Sequence, residues 1–348
     1  MKVVVTGSQG FIGSYICQEL LDSGYFVVGI DNFSKYGQVS RPHDDHPNFS
    51  LFKQDICTTN FDQLAGWFAH AGIDQDIDYI IAGAAMIGGI SYFHKYAYDL
   101  LATNERILAN TFDLALECFK HDNLKRIIVL SSSMVFENTS TYPTPESEIT
   151  KCPPPSSTYG FQKLSSEFFC KGAYEQYNLP YTIVRPFNCV GVGEGEALGE
   201  EEVKVGNIKM LMSHVLPDLI YKALNLSPKD KLPILGSGKQ IRHYTNGKDI
   251  ARGIARCMES PDAINEDFNI SSPIPTSVED LGRIVWDKVH GCQPEFEHHD
   301  PFPYDVQVRS PDTTKAKNVL GFETTIDIED SVSEVIEYMK REMASGKL

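Results

Sequence analysis

Val3 to Val5 is a short run of β-branched residues, and apolar positions then recur at helical spacing in Phe11, Ile12, Tyr15, Ile16, Leu20 and Leu21. That pattern predicts a buried parallel strand turning directly into a helix. A second apolar run over residues 26–30 predicts another strand, ending at Asp31. Further strand-like runs fall at 50–54, 79–85, 126–130 and 181–185, and helical periodicity at 60–70, 96–120 and 157–177. Strands alternating with helices at this pace predict an α/β fold, a doubly wound parallel sheet with helices on both faces. Beyond about residue 187 the rhythm breaks. Helices at 207–224, 247–259, 277–290, 312–320 and 327–345 are interleaved with a short strand at 232–235 and a turn at Gly236-Ser-Gly238. The expected division is a sheet domain from 1–186 with 239–265, and a smaller mixed α/β substrate domain from 187–238 with 266–348.

Composition narrows the function. The chain has 348 residues, is 42% hydrophobic and carries a net charge of −16, enough apolar content for a sizeable core and the wrong sign for nucleic acid or anionic membranes as partners. Its eight cysteines show no CxxC and no metal-ligand spacing, so they read as reduced thiols of a cytoplasmic protein and no metal is expected. No apolar run is long enough to span a membrane, and a strand beginning at residue 2 leaves no room for a signal peptide.

Candidate chemistry begins where the first strand becomes the first helix. Gly7, Gly10 and Gly13 sit at that turn. Gly7 permits the tight turn, Gly10 lets backbone approach a pyrophosphate, and Gly13 lets the helix lie close on the strand. The pyrophosphate then sits on the helix N-terminus, at Phe11 and Ile12. Asp31 follows Gly13 by eighteen residues, where a carboxylate accepts from the adenosine ribose hydroxyls and repels a 2′-phosphate. The cofactor expected is therefore NAD. Asn32, Ser34 and Lys35 continue on the loop over the adenine side, and Lys35 is the one residue there able to pair with a 2′-phosphate. The fourth strand ends in small residues, Ala82 to Ala85, where a cofactor can pass close to the backbone.

Tyr159 and Lys163 are four apart on one predicted helix and share a face. An ammonium beside a phenol, with a positively charged nicotinamide nearby, should pull its pKa down from about 10 toward neutrality. The pair then forms a general base for a hydroxyl proton. Ser132, at the end of the fifth strand, can share that proton.

These features together resemble the extended short-chain dehydrogenase/reductase family, within it the UDP-glucose 4-epimerase-like sugar-nucleotide epimerases and dehydratases. The resemblance covers nearly the whole chain. It rests on Thr6 to Gly13, Asp31-Asn32, Asp55-Ile56, Ala84-Ala85, Ser131 to Val135, Tyr159 to Lys163, Arg185 to Asn188, Gly238 to Asp249 and Arg309 to Gly321. It implies that Asp55 and Ile56 contact adenine, that Lys163 holds the nicotinamide ribose, and that Asn188, Arg242 and Arg309 hold a substrate diphosphate. Ala82 stands where many members have histidine. The family's 4,6-dehydratases carry an Asp-Glu pair just after the hydroxyl residue, and its decarboxylases a glutamate; here Ser133 and Met134 stand there. That leaves NAD-dependent 4-epimerisation of a nucleoside-diphosphate sugar through a 4-keto intermediate. Gly88-Gly-Ile90 and Ser213 to Pro217 are similar to GDP-fucose synthase, which makes His214 either a second proton donor or a binding residue and keeps GDP-sugar epimerase–reductase chemistry as an alternative, beside a 4,6-dehydratase-type enzyme. A dinucleotide-binding regulator without turnover is a third reading, and the Ser132, Tyr159, Lys163 set speaks against it. Family topology implies a homodimer through a four-helix interface of helices 96–120 and 157–177.

Overall fold

The computed structural model describes residues 1–59, 63, 66, 76–88, 95–121, 124–194, 214–301 and 306–346. All of the helix expected at 60–70 except residues 63 and 66, the end of the glycine loop at 89–90, most of the glycine- and glutamate-rich stretch after Gly191, and residues 207–213 of the following helix lie outside the described residues.

In chain order the first half contains β1 (Lys2–Thr6), α1 (Phe11–Asp22), β2 (Phe26–Asp31), β3 (Phe49–Lys53), β4 (Tyr79–Ala82), α2 (Ala97–His121), β5 (Arg126–Leu130), α3 (Thr158–Tyr177) and β6 (Tyr181–Pro186). There follow β7 (Cys189–Val190), α4 (Val215–Asn225), β8 (Lys231–Leu235), β9 (Ile241–Arg242), β10 (Thr245–Asn246), α5 (Gly247–Glu259) and β11 (Glu266–Ile270). The chain ends with β12 (Thr276–Ser277), α6 (Val278–His290), β13 (Glu295–His299), α7 (Thr314–Leu320) and α8 (Ile328–Ala344).

Seven strands form one parallel sheet in the order β11-β6-β5-β4-β1-β2-β3. Its central strands are apolar on both faces because both faces are covered. Val3, Val5, Val27 and Ile81 pack with Ile16, Leu20 and Ile254 of α1 and α5 on one side. Val4, Val28, Ile80 and Ile127 pack with Leu108, Phe112 and Cys170 of α2 and α3 on the other. Sheet order reverses at β1, which pairs with β2 on one side and β4 on the other. There Thr6 Oγ1 accepts from the backbone N–H groups of Gly83 and Ala84, both at 3.1 Å. Those bonds draw the chain out of the sheet after Ala82, so β4 stops short of the residue 85 expected from sequence. The crevice outside these strand ends is where open α/β sheets bind ligands.

The expected domain boundary needs a correction at residue 265. Residues 266–270 belong with the sheet, since β11 pairs with β6 over its whole length and completes it. An edge strand with a charged start, Glu266-Asp267, lacks the continuous apolar run of its neighbours and is easily missed. The remaining elements build a separate core in which Leu216, Leu219 and Ile220 of α4, Trp286 of α6 and Val335 of α8 surround Leu232 and Ile234 of β8. That core borders the C-terminal edge of the sheet, and the two together wall a cleft of about 870 Å³.

Candidate active site

One end of the cleft is built from β1, β2 and the start of α1. Gly7 has φ +75°, and a Cβ on it would lie 2.9 Å from the Ala84 backbone. A Cβ on Gly13 would sit 1.9 Å from the Gly7 carbonyl oxygen, so only glycine lets α1 lie this close to the turn. Gly10, the residue before α1, meets only the Gly7 oxygen and is otherwise open toward the cleft. Phe11, Ile12 and Gly13 line the same wall. The Asp31 carboxylate is fixed there by N–H donors from Phe33 at 2.7 Å and Gln9 at 2.9 Å. Burial raises its pKa above the usual carboxylate value, opposed by those N–H bonds and by Arg41. With a third backbone N–H, that of Gly10, also acting on it, the carboxylate keeps an acceptor position for a hydroxyl donor. Asn32, Ser34, Asp55 and Ile56 line this end too, with Asp55 accepting from the Cys57 N–H at 2.9 Å. This cradle fits a dinucleotide: it has room that a Cβ would fill, a free helix N-terminus and an anchored carboxylate.

Two expectations change here. Half-buried Lys35 does line the cleft, but loss of hydration lowers its pKa to about 8, with Glu194 opposing the shift, so it is a weaker cation than its type suggests. Ala82 was expected among the cofactor contacts, but it packs against the apolar layer under α2 and α3 instead. Side chains alternate sides along a strand, which leaves the cofactor wall to Gly83 and to the irregular stretch that includes Ala84.

The reactive end lies at the C-terminal end of β5. Ser132 Oγ accepts from the Met134 N–H at 3.2 Å, capping the short 3-10 turn Ser133–Phe136. Tyr159 enters from the first turn of α3 and hydrogen-bonds to Ser132. That turn is held by Ser157, whose Oγ accepts from Gly160 N–H at 3.0 Å while its own N–H and O–H donate to Glu137 at 2.9 Å each. Lys163, one turn further on, donates to the Leu130 carbonyl at 2.9 Å. The phenol does not shift as the sequence led us to expect. Burial raises the Tyr159 pKa; the Ser132 hydrogen bond and the Arg309 charge oppose this, and Lys163 is not among the groups that move it. Burial likewise lowers Lys163 to about 8. Both ionised forms lose water in this pocket, and within the protein alone that loss outweighs their neighbours.

Behind this wall runs a buried ion-pair network that the sequence did not reveal. Arg185 Nε and Nη2 donate to the two oxygens of Glu167 at 2.7 Å each, and Nη1 pairs with Asp267 at 2.7 Å. Ser131, beside Ser132, donates to Glu167 at 2.6 Å. Glu167 is one turn past Lys163 on α3, so the network ties β5, β6, β11 and the reactive face of α3 together.

Toward the second unit, Asn188, Arg242 and Arg309 all line the cleft. Asn188 has φ +37°, and its side-chain N–H₂ group is buried with no partner among the described residues, a donor left for a ligand. Arg242 lies on β9, and the Arg309 N–H donates to the Ile241 carbonyl at 3.1 Å, which sets the two arginines side by side. Two forked cations suit a diphosphate. His214 stands just before α4, its Nδ1 against the carboxylate of Glu194, which is buried in the cleft wall. Tyr15 of α1 fixes the approach to Glu194, its hydroxyl accepting from Val192 N–H at 2.8 Å. Sequence reasoning passed over Glu194 because it opens a run of glutamates with no pattern of its own. Among the described residues no group of acidic, histidine and cysteine side chains could hold a metal ion.

With that geometry in view, the chain can be set beside known proteins. The model of the NAD dependent epimerase/dehydratase family matches residues 3–271. A Bacillus subtilis protein named as an uncharacterized UDP-glucose epimerase is 26% identical, covering 97% of this chain and 98% of its own length. A UDP-N-acetyl-alpha-D-glucosaminuronate decarboxylase of Bacillus cytotoxicus is 27% identical over 97% and 98%. Among solved structures, UDP-glucuronic acid 4-epimerase from Bacillus cereus, in complex with UDP-glucuronic acid and NAD, superposes with a TM-score of 0.76 at 26% identity, covering 98% of this chain and 99% of that one.

Proposed function

This chain belongs to the NAD dependent epimerase/dehydratase family, and from that premise we propose that it inverts C4 of a nucleoside-diphosphate sugar through a transient 4-ketone. It is an NAD-dependent enzyme, and the anchored Asp31 and the glycine cradle of α1 suit that cofactor. The observation that carries the reaction type is the hydrogen-bonded Ser132–Tyr159 pair with Lys163 one turn on, next to a 3-10 turn offering Ser133 and Met134 in place of carboxylates.

NAD, when bound, supplies a hydride acceptor that later returns the hydride, and a positive charge that favours phenolate. Tyr159 accepts the C4 hydroxyl proton as that hydride leaves, and Ser132, hydrogen-bonded to the phenol, shares that proton through its own hydroxyl. Lys163 adds positive charge on the adjacent turn of α3. Asn188, Arg242 and Arg309 grip the diphosphate while the ketone turns to present its other face. Tyr159 then returns the proton to the new alcohol. With no acid at 133 or 134, the chain has nothing there to expel water across C5 and C6.

Proton NMR of a panel of sugar nucleotides incubated with the NAD-loaded protein tests this. The expected products are C4 epimers formed without net reduction of NAD. A 4-keto-6-deoxy sugar or a decarboxylated pentose as final product would refute the proposal. A second reading, epimerase–reductase chemistry, draws support from His214 held by Glu194 at the cleft wall.

We place the enzyme in the cytoplasm, where the eight cysteines, none in a disulfide, would stay reduced. No described helix is long and apolar enough to cross a membrane. A homodimer is proposed through α2 and α3, which expose Tyr98, Phe161 and Phe168.

A further inference from the structure

We infer that Asp218 and Lys222 of α4 read the hydrogen-bonding edge of the substrate's nucleobase and set which base the enzyme accepts. This rests on the proposed nucleoside-diphosphate sugar reading and deepens it.

The place follows from a chain of contacts leading away from the reactive end. Arg309 acts on the Tyr159 phenol and bonds the β9 backbone beside Arg242. Gln240, just before β9, donates to the Leu235 carbonyl of β8 at 3.3 Å. Lys222 in turn donates to the Pro233 carbonyl of β8 at 3.3 Å. A sugar at Tyr159 and a diphosphate at the two arginines leave the base between β8 and α4. The cleft there is an apolar slot lined by Leu216, Leu219, Ile234, Leu235 and Val278, suited to the faces of a flat ring.

A charged pair lines the slot. Asp218 and Lys222 both line it, bonded to each other at 2.6 Å, with side chains only 14% and 5% exposed. Burial raises the Asp218 carboxyl pKa despite the lysine beside it. A buried pair of this kind adds little stability over apolar residues of similar size, so its presence on the cleft face of α4 calls for another reason. An ammonium has three donors, and two of Lys222's are spent on Asp218 and Pro233; one Asp218 oxygen has no partner among the described residues. The pair therefore offers one donor beside one acceptor, the complement of an N–H next to a ring nitrogen or carbonyl on a base edge. A base with the opposite order there meets like against like.

The test is calorimetric titration of the NAD-loaded protein with UDP, dTDP, GDP, CDP, ADP and inorganic pyrophosphate. The unmodified protein should rank the five nucleotides over at least about a tenfold range of affinity, the effect of one hydrogen bond to a charged group. The double variant D218L/K222M should compress that range to within about threefold while keeping its pyrophosphate affinity and its melting temperature. D218N, which keeps the shape but turns an N–H₂ toward the base, should reorder the ranking. An unmodified protein indifferent to the base, or variants that keep the original ranking, would overturn the inference while leaving the epimerase reading intact. If no diphosphate binds at all, the nucleoside-diphosphate reading fails and this inference falls with it.

Discussion

The buried ammonium of Lys163 costs the fold something. It sits against the Leu130 carbonyl, and its pKa of about 8 lies below the ordinary lysine value. The folded state therefore binds this proton less tightly than the unfolded chain does. The penalty is fully present below about pH 8 and is relieved as pH rises toward the unfolded value near 10.4. Lys163→Met should abolish turnover yet melt no lower than the unmodified protein at pH 7. The difference between the two melting temperatures should shrink between pH 8 and 10; a variant that melts several degrees lower at pH 7 would contradict this. His214 poses a separate question. If it protonates a carbanion, His214→Asn should abolish solvent-deuterium incorporation at C3 or C5 and leave C4 oxidation intact. No incorporation by the unmodified enzyme would make His214 a binding residue. At this scale the glycine turn, Asp31, Tyr159 and Lys163 were legible as residues of one cleft because fixed spacings betray shared turns and faces, and Ser132 because it follows the end of a strand. The direction of the Tyr159 shift was not, since desolvation depends on packing that no spacing records. Glu194, which meets His214 only through the fold, left no local trace either.

Among the elements, α2 and α3 lie side by side on one face of the sheet, and α3 turns Phe161 and Phe168 to solvent two turns apart. Apolar side chains at that spacing suit pairing with the same helices of a second copy. Replacing both by aspartate should convert a dimer to a monomer in light scattering at micromolar concentration; an unmodified protein already monomeric there would refute the interface. The parallel strands and long helices were legible because their apolar runs are long and regular. β11 was not, because Glu266 and Asp267 break its pattern while forming ion pairs with Lys315 and Arg185 that appear only once the chain is folded. The short strands β7, β9 and β10 have two residues each, too few to show any period.

Taken whole, the molecule carries a net charge of −16 yet is proposed to bind two dianionic pyrophosphate groups. It resolves this locally. The free N-terminus of α1 serves one end of the cleft and the adjacent Arg242 and Arg309 the other, so each charge is met at short range, where screening by salt is weakest. The sheet carries the glycine cradle, α3 brings Tyr159 to the same cleft, and the second core supplies the facing wall. The account turns on Tyr159 as the group that takes the C4 proton. Tyr159→Phe keeps the ring and its packing and removes the one proton acceptor among the described residues that the proposal puts beside that carbon. The direct test is kcat and sugar-nucleotide affinity of this variant against the unmodified enzyme. Loss of general-base assistance predicts a fall in kcat of at least about a hundredfold with affinity little changed. Retention of more than about a tenth of kcat would contradict the account and require another base in the cleft.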